Sequence, residues 1–377
     1  MRKILYVTGS RAEYGLMQST LKLIDSDSGL DLHIVATGMH LMPEFGNTIT
    51  EIEHDGFALH KINSVYSEDS KEAMARFAGD FLLKFADVLK DINPDLILLL
   101  GDRAEMLSAA VAGAYMSIPV AHIHGGEVSS TVDEMARHAI TKLSEIHFAA
   151  TESSSERIRK MGEIPSNIYL VGAPGLDSIL NDTLPSKEEV FKSLGLNSSE
   201  KTVLIVQHPI TLEDGKSEEH MRAILEAVKE EGLQVIVVYP NADAGGREMI
   251  SVIEEYEETF NIFKSMERPL FLSIMKHSDA IIGNSSSAII EAPSFGIPAV
   301  NIGSRQKGRE RADNVIDSGY KKEEVLSAIK KAFSPEFIEK AKMCKNPYGD
   351  GKAMERIVKI LKEVKLGREL LDKKIAY

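Results

Sequence analysis

The chain has a single cysteine, Cys344, in 377 residues, so no intrachain disulfide and no paired-cysteine metal or redox motif can form. Such sparing use of thiols fits a reducing compartment, and the expectation is a cytoplasmic protein. Basic residues are also in deficit: 44 Lys and Arg stand against 57 Asp and Glu, a net charge of −13. That balance argues against grip on nucleic acid or on an anionic membrane, since both need a basic face; neither is expected as a partner. It leaves room for an anionic small ligand, because a few Arg and His reverse the field inside a cleft. No window approaches the roughly 20 apolar residues of a membrane span. The N-terminal Met1–Val7 runs straight into a strand-like segment rather than a cleavable signal stretch. There is no short repeat and no low-complexity tract.

What remains is ordinary globular composition, 43% hydrophobic and 27% charged. At about 150 residues per domain, the length points to two domains, large enough to need no disulfide or metal staple. Short runs rich in Val, Ile and Leu recur at Ile4–Val7, Leu32–Ala36, Leu96–Leu100, Val120–Ile123, His147–Ala150 and Ile168–Val171. They resume at Val203–Val206, Val235–Tyr239, Ala280–Ile282 and Ala299–Ile302. Continuous rather than alternating apolar runs predict strands covered on both faces, as in a parallel sheet. Helix-length segments lie between them, such as Glu72–Lys90, Ala104–Tyr115, Arg137–Ser144 and Met221–Glu230. The repeated β-α order predicts a doubly wound α/β architecture. The boundary falls at Gly172-Ala173-Pro174-Gly175, giving domains 1–172 and 173–355. The charged amphipathic stretch Arg356–Leu371, within 356–377, is expected to form a helix that completes the first domain.

Ligands of open parallel sheets bind beyond the carboxyl ends of the strands, and nearly every unusual polar cluster falls there. Gly9–Gly15, Gly101-Asp102-Arg103 and His124-Gly125-Gly126-Glu127 follow strands of the first half. Gln207-His208-Pro209, Pro240–Asp243, Gly283–Ser287 and Gly303-Ser304-Arg305 follow strands of the second. Clusters from both halves imply a cleft between two domains. Gly283–Ser287 opens a helix whose free N–H groups and dipole suit a phosphate or diphosphate, although Ser and Asn there are also ordinary caps. Glu291, about a turn and a half into that helix, could accept bonds from two vicinal ribose hydroxyls or stay a solvated carboxylate. Arg11, at the mouth, could pair with a phosphate or form a surface ion pair. Gly215-Lys216-Ser217 resembles the tail of a P-loop, but Ile210 stands where the first glycine is needed, so that route to ATP is rejected. Gly9–Gly15 is likewise not a GxGxxG fingerprint.

Asp102 ends a buried strand, and its desolvation tends to raise its pKa toward acid/base use; the alternatives are a helix cap or a pair with Arg103. His122 and His124 are expected on one strand face. An HxH pair can bind metal, yet no nearby Cys completes a familiar spacing and no metal is expected. His138 reads as structural. His208 is pushed out of helical geometry by Pro209, which would present its ring at the strand end to protonate or bond a leaving phosphate oxygen.

Several segments, in this order, resemble the hydrolysing UDP-N-acetylglucosamine 2-epimerases of sialic-acid biosynthesis. They are Thr8–Gly15, Gly101–Arg103, His122–Glu127, Arg137–Lys142, Gly283–Ser286 and Gly303–Arg309. The Arg-Ala-Glu-Tyr-Gly form of the first loop favours the hydrolysing branch. The resemblance implies a GT-B fold, two Rossmann-like domains facing a central cleft with UDP mainly on the second. It implies a UDP-amino sugar substrate, no cofactor, no metal, and a homodimer or homotetramer. A base removes the C2 proton while UDP leaves C1, and water then adds across the resulting 2-acetamidoglucal to give N-acetylmannosamine and UDP. By the same resemblance Asp102, His124, Glu127, Asp133 and His208 are the catalytic candidates. Arg11, Arg103, His208, Asn241, Ser285, Ser286, Glu291 and Arg305 are the substrate and UDP-binding candidates. One departure stands out: many relatives carry Glu where this chain has His124, so His124, Glu127 or the pair Asp102 and Asp133 must fill that role. The swap is compatible with a different sugar, UDP-2,4-diacetamido-2,4,6-trideoxyglucose of the legionaminic-acid pathway. A GT-B glycosyltransferase and a non-catalytic sugar-nucleotide sensor are the competing readings.

Overall fold

Leu96-Ile97-Leu98-Leu99-Leu100 carries no polar residue on either face, and it lies at the middle of a sheet covered on both sides. The computed structural model describes residues 1–130, 132–211, 213 and 215–377. Among them, the first sheet has seven strands: Arg2–Thr8 (β1), Leu30–Ala36 (β2), Ala58–Lys61 (β3), Leu96–Leu100 (β4), Val120–Ile123 (β5), Ile146–Ala149 (β6) and Ile168–Leu170 (β7). The second has six: Thr202–Val206 (β8), Gln234–Val238 (β9), Asn261–Phe263 (β10), Ala280–Gly283 (β11), Ala299–Ile302 (β12) and Val315–Ser318 (β13). Every pairing is parallel, from Arg2 opposite Leu30 to Ile302 opposite Ser318. The orders are β3-β2-β1-β4-β5-β6-β7 and β10-β9-β8-β11-β12-β13. These are two Rossmann-like units in the GT-B arrangement.

Each sheet reverses its winding once, between β1 and β4 in the first and between β8 and β11 in the second. At such a switch point neighbouring loops diverge to opposite faces and leave a crevice at the carboxyl ends. The loops at the two crevices are Gly9–Ser10 with Gly101–Arg103, and Gln207–Pro209 with Gly283–Ser286. The fold thus aims the polar clusters of both halves at one another.

Helices seal both faces of the first sheet. Tyr14, Leu21, Ile357 and Leu361 pack on one side, and Phe81, Phe85, Leu89 and Met106 on the other. The helices expected from sequence occur as Lys71–Ile92, Ala104–Met116, Val132–Leu143 and Ser217–Glu230. The C-terminal stretch departs from expectation. Its helix runs Ala353–Glu363, then breaks before Gly367, with a short second turn at Arg368–Leu371. The Asp177 carboxylate sets the earlier start, accepting from the backbone N–H of Ala353 at 2.9 Å and of Met354 at 2.6 Å, which satisfies orphan donors of the first turn. No helix among the described residues is long and apolar enough to cross a membrane.

Candidate active site

A cleft of about 610 Å³ separates the carboxyl ends of the two sheets, and all twelve residues assigned above to catalysis or UDP-sugar binding line it. Its floor on the first-domain side requires glycine at position 9. A Cβ there would lie 1.6 Å from Oε1 of the fully buried Glu105, so no side chain fits without expelling that carboxylate. On the other side Gly283 has φ +127°, and a Cβ would meet the Val206 carbonyl oxygen at 2.2 Å.

Asp102 neither caps the following helix nor pairs with Arg103. The cap position is Arg103, without a side-chain cap bond, and Asp102 forms an ion pair with the buried Arg137. Arg137 also donates to the Glu127 carbonyl at 3.1 Å and to the Ser129 hydroxyl at 3.2 Å. The expectation of a raised Asp102 pKa is overturned. Burial does push it up, but Arg137, Arg309 and Arg305 together more than offset this and hold the carboxyl below its ordinary range.

His124 lies past the end of β5 with φ +65°, a region that non-glycine residues enter rarely, His more often than most. That turn breaks the strand alternation, so His122 and His124 do not share a face. His122 is sealed inside, with Nε2 2.7 Å from the Gly101 carbonyl oxygen and Nδ1 3.2 Å from the Thr141 hydroxyl. Burial first, aided by His147 and Arg137, drives its pKa down to about 3. Both ring nitrogens are occupied, which removes it as a metal ligand. His124 instead hydrogen-bonds Glu127 through Nδ1 and lines the cleft. Glu127 is buried, and Arg309 Nη2 lies 2.8 Å from its other oxygen. Burial opposes its charge, yet His124 and Arg309 win and lower its pKa to about 2. Glu127 is therefore a fixed anion that orients the His124 ring. Asp133, near the start of its helix, meets Arg305 Nη2 at 3.5 Å. His138 sits 3.6 Å from Glu134 on the same helix.

Across the cleft the second domain supplies donors. Asn284 clamps His208: its Oδ1 accepts from the His208 N–H at 2.7 Å and its Nδ2 donates to the His208 carbonyl at 2.9 Å. The Asn241 N–H donates to His208 Nδ1 at 3.2 Å. Nδ1 is thus an acceptor, and the proton of the neutral ring resides on Nε2. Burial, then Arg305 and Arg103, hold the His208 pKa well below the usual value. His208 therefore offers a neutral N–H, which fits the second of its two expected roles, bonding a leaving phosphate oxygen rather than protonating it. The Asn241 side chain is engaged with Asp243 at 2.6 Å. Ser285 accepts from the Ser287 N–H at 3.3 Å, while the Ser286 hydroxyl makes no capping bond. The helix these serines open is short, Ser287–Ile290, and Glu291 is its C-cap, with Pro293 beyond. Glu291 is neither mid-helix nor solvated; it is buried, 2.6 Å from Arg268. Arg11 pairs with Glu51 at 3.3 Å, and its Nη2 is buried without a hydrogen-bond partner.

Arg103 is committed to protein groups rather than open to a phosphate. It contacts Glu105 at 2.8 Å and the Tyr66 hydroxyl at 2.9 Å, with Glu13 at 3.7 Å and Asp243 at 3.9 Å. Burial first, and then the like charge of Glu105, raise the Glu13 pKa to about 8. Four residues of this site escaped assignment from sequence. Arg137 and Arg309 lie inside segments carrying the resemblance, and Arg137 stands four residues after Asp133, a spacing that puts both on one helix face. Glu105 and Arg268 carry no comparable signal.

The two domains also touch at the rims. The Ser130 N–H donates to the Arg305 carbonyl at 3.1 Å. On the far side Asp69 accepts from the backbone of Gly245 at 2.6 Å and Arg247 at 2.9 Å, and Arg247 meets Glu44 at 2.6 Å.

The model of the family described as UDP-N-acetylglucosamine 2-epimerase matches residues 22–362. The chain belongs to this family. It is thereby an enzyme of UDP-sugar chemistry. Over 380 aligned residues it is 43% identical to the hydrolysing UDP-N,N'-diacetylbacillosamine 2-epimerase of Legionella pneumophila, with 100% of both chains covered. It is 35% identical to the UDP-N-acetylglucosamine 2-epimerase of Neisseria meningitidis serogroup B over 335 residues, covering 89% of this chain and 88% of that one. The fold of this 2-epimerase family member superimposes on a crystal structure of the Neisseria meningitidis UDP-GlcNAc 2-epimerase bound to UDP-GlcNAc with a TM-score of 0.80. Identity there is 22%, over 96% of this chain and 100% of that one.

Proposed function

We propose that the protein is a hydrolysing 2-epimerase that converts a UDP-linked 2-acetamido sugar and water into the free 2-epimeric sugar and UDP. One observation carries this reading: a single cleft sets an acid/base cluster, Asp102 with His124–Glu127 and Asp133, opposite His208 and Ser286, donors suited to a diphosphate. The C2 proton of such a sugar is weakly acidic, so its removal needs a base held at the ring while the C1–O bond to UDP breaks. Asp102 is ionised and faces the cleft. His124, its ring held by Glu127, faces the same cleft as the second proton-transfer group. Loss of the C2 proton and departure of UDP give a 2-acetamidoglucal. Water then supplies hydroxyl to C1, and a proton returns to C2 on the other face. The departing diphosphate is met by the His208 Nε2–H, the Ser286 hydroxyl and the unpartnered nitrogen of Arg11, donors already in place where charge develops.

The favoured sugar is N,N'-diacetylbacillosamine, on the strength of the full-length relative at 43% identity. UDP-N-acetylglucosamine, with N-acetylmannosamine as product, is the second reading, supported by the Neisseria relative. Each UDP-sugar is incubated with the enzyme in deuterated water, and the free sugar is analysed by mass spectrometry. Deuterium at C2 and UDP release without an added acceptor are expected. Retention of the original C2 hydrogen refutes the mechanism, and a strict need for an acceptor refutes it in favour of a glycosyltransferase.

A further inference from the structure

Beyond the acid/base cluster, the first-domain side of the cleft changes character. Met74, Ala75 and Ala78 of helix Lys71–Ile92, Ala104 and Leu107 of helix Ala104–Met116, and Ala136 of helix Val132–Leu143 all line it. The middle helix packs against both of the others, so the six side chains converge on one wall. That wall adjoins the reacting groups directly: Ala104 follows Asp102-Arg103, and Ala136 lies between Asp133 and Arg137. The polar side chains at its border are already engaged. Arg103 is held by Glu105 and Tyr66, Arg137 by Asp102, the Glu127 carbonyl and Ser129, and Lys71 at the rim has an interaction of its own.

In a pyranose C4 lies across the ring from C1, so a UDP-hexosamine with its diphosphate on the second domain and C2 at Asp102 would direct its C4–C6 edge toward the first domain. For an ordinary hexosamine that edge carries two hydroxyls, and a hydroxyl pressed on an apolar wall gives up its water without a new partner. We infer that the Met74–Ala75–Ala78–Ala104–Leu107–Ala136 wall is the specificity element of the site, shaped for a sugar bearing a C6 methyl and a C4 acetamido group. This rests on the reaction proposed above and assigns its sugar preference to residues. The two methyls lie on the wall, and the C4 amide points to the open rim, where Lys71 and Ala75 are exposed. One methyl in an apolar pocket is worth a factor of about 10 to 200 in kcat/KM, whereas such a pocket rejects an added hydroxyl by only about 100-fold.

The test compares UDP-N,N'-diacetylbacillosamine with UDP-N-acetylglucosamine as substrates of the wild-type enzyme and of Leu107→Gln and Ala75→Ser, with UDP affinity measured in parallel. The wild type is expected to favour the diacetamido sugar by about tenfold or more in kcat/KM. Leu107→Gln should cut that ratio by at least about fivefold, and Ala75→Ser should cut it less, with UDP affinity unchanged in both. Ala75 is exposed, so its variant keeps the test alive if Leu107→Gln fails to fold. A wild-type ratio near one, or a ratio that neither variant moves, overturns the inference. If neither sugar turns over, the proposed reaction fails instead. The wall is then read from equilibrium binding: the same preference in Kd supports it and equal Kd values refute it.

Discussion

Arg137 is the most consequential residue that sequence reasoning left without a role, and replacing it with methionine tests the electrostatics of the site. The substitution removes the partner of Asp102 and the bonds to the Glu127 carbonyl and Ser129 hydroxyl, while methionine refills much of the apolar volume. Breaking a buried pair from one side costs about 3–5 kcal/mol, a large share of the roughly 5–15 kcal/mol that holds a domain folded. The titration follows from the same geometry. With Arg137 present, the Asp102 pKa lies below its ordinary value, so the folded state binds fewer protons than the unfolded one. Its stabilising contribution is complete above about pH 4, the unfolded value, and is lost as pH falls through the depressed folded value. Without Arg137 the largest of the three opposing cations is gone and the carboxyl rises. Urea denaturation at pH 7 should show the 3–5 kcal/mol loss, at about that magnitude. The acid limb of kcat/KM, followed by UDP release, should move up by at least about one pH unit, equivalent to about 1.4 kcal/mol. A limb that stays put, with a stability loss under about 1 kcal/mol, refutes the claim that Arg137 is the main cation holding the Asp102 pKa down.

Ser286→Ala should weaken UDP binding about fivefold, the worth of one hydrogen bond near 1 kcal/mol; unchanged affinity by calorimetry moves the diphosphate elsewhere. His208 should appear in nitrogen-detected NMR as the Nε2–H tautomer and should not titrate between about pH 5 and 8, whereas a midpoint near the ordinary 6.5 contradicts the buried neutral ring. Glu13, with its pKa raised to about 8, binds a proton in the folded state that the unfolded chain releases near pH 4.5. Stability therefore falls as pH rises through that window. Glu13→Gln should remove the dependence, so its advantage in Tm over the wild type grows from pH 5 to pH 8.5; a constant difference refutes the raised pKa.

The central strands were legible because burial on both faces leaves a continuous apolar run, as in Leu96–Leu100. The three strands that the sequence did not reveal, β3, β10 and β13, all lie at sheet edges. An edge strand has one partner and an open side, so Ala58-Leu59-His60-Lys61 and Val315-Ile316-Asp317-Ser318 retain polar residues that blur the pattern. The site was legible in position, since strand ends at a winding reversal must host it. It was less legible in charge state. A sequence shows that Asp102 ends a buried strand, but not that three arginines distant in the chain surround it. The helix at Ser286 was overestimated for a similar reason: Glu291-Ala292-Pro293 reads as a continuing helix until Pro293 and the Arg268 pair divide it. Arg103 reads as a phosphate ligand until Glu105, invisible as a site residue, claims it.

The segment Gly303–Arg309 belongs to the second domain, yet its Arg305 and Arg309 neutralise Asp133 and Glu127 of the first. If the lobes part, Glu127 loses Arg309 and Asp133 loses Arg305 together, while the His124–Glu127 and Asp102–Arg137 pairs stay joined within the first domain. The field around these two first-domain carboxylates is therefore set by how closely the second domain approaches them.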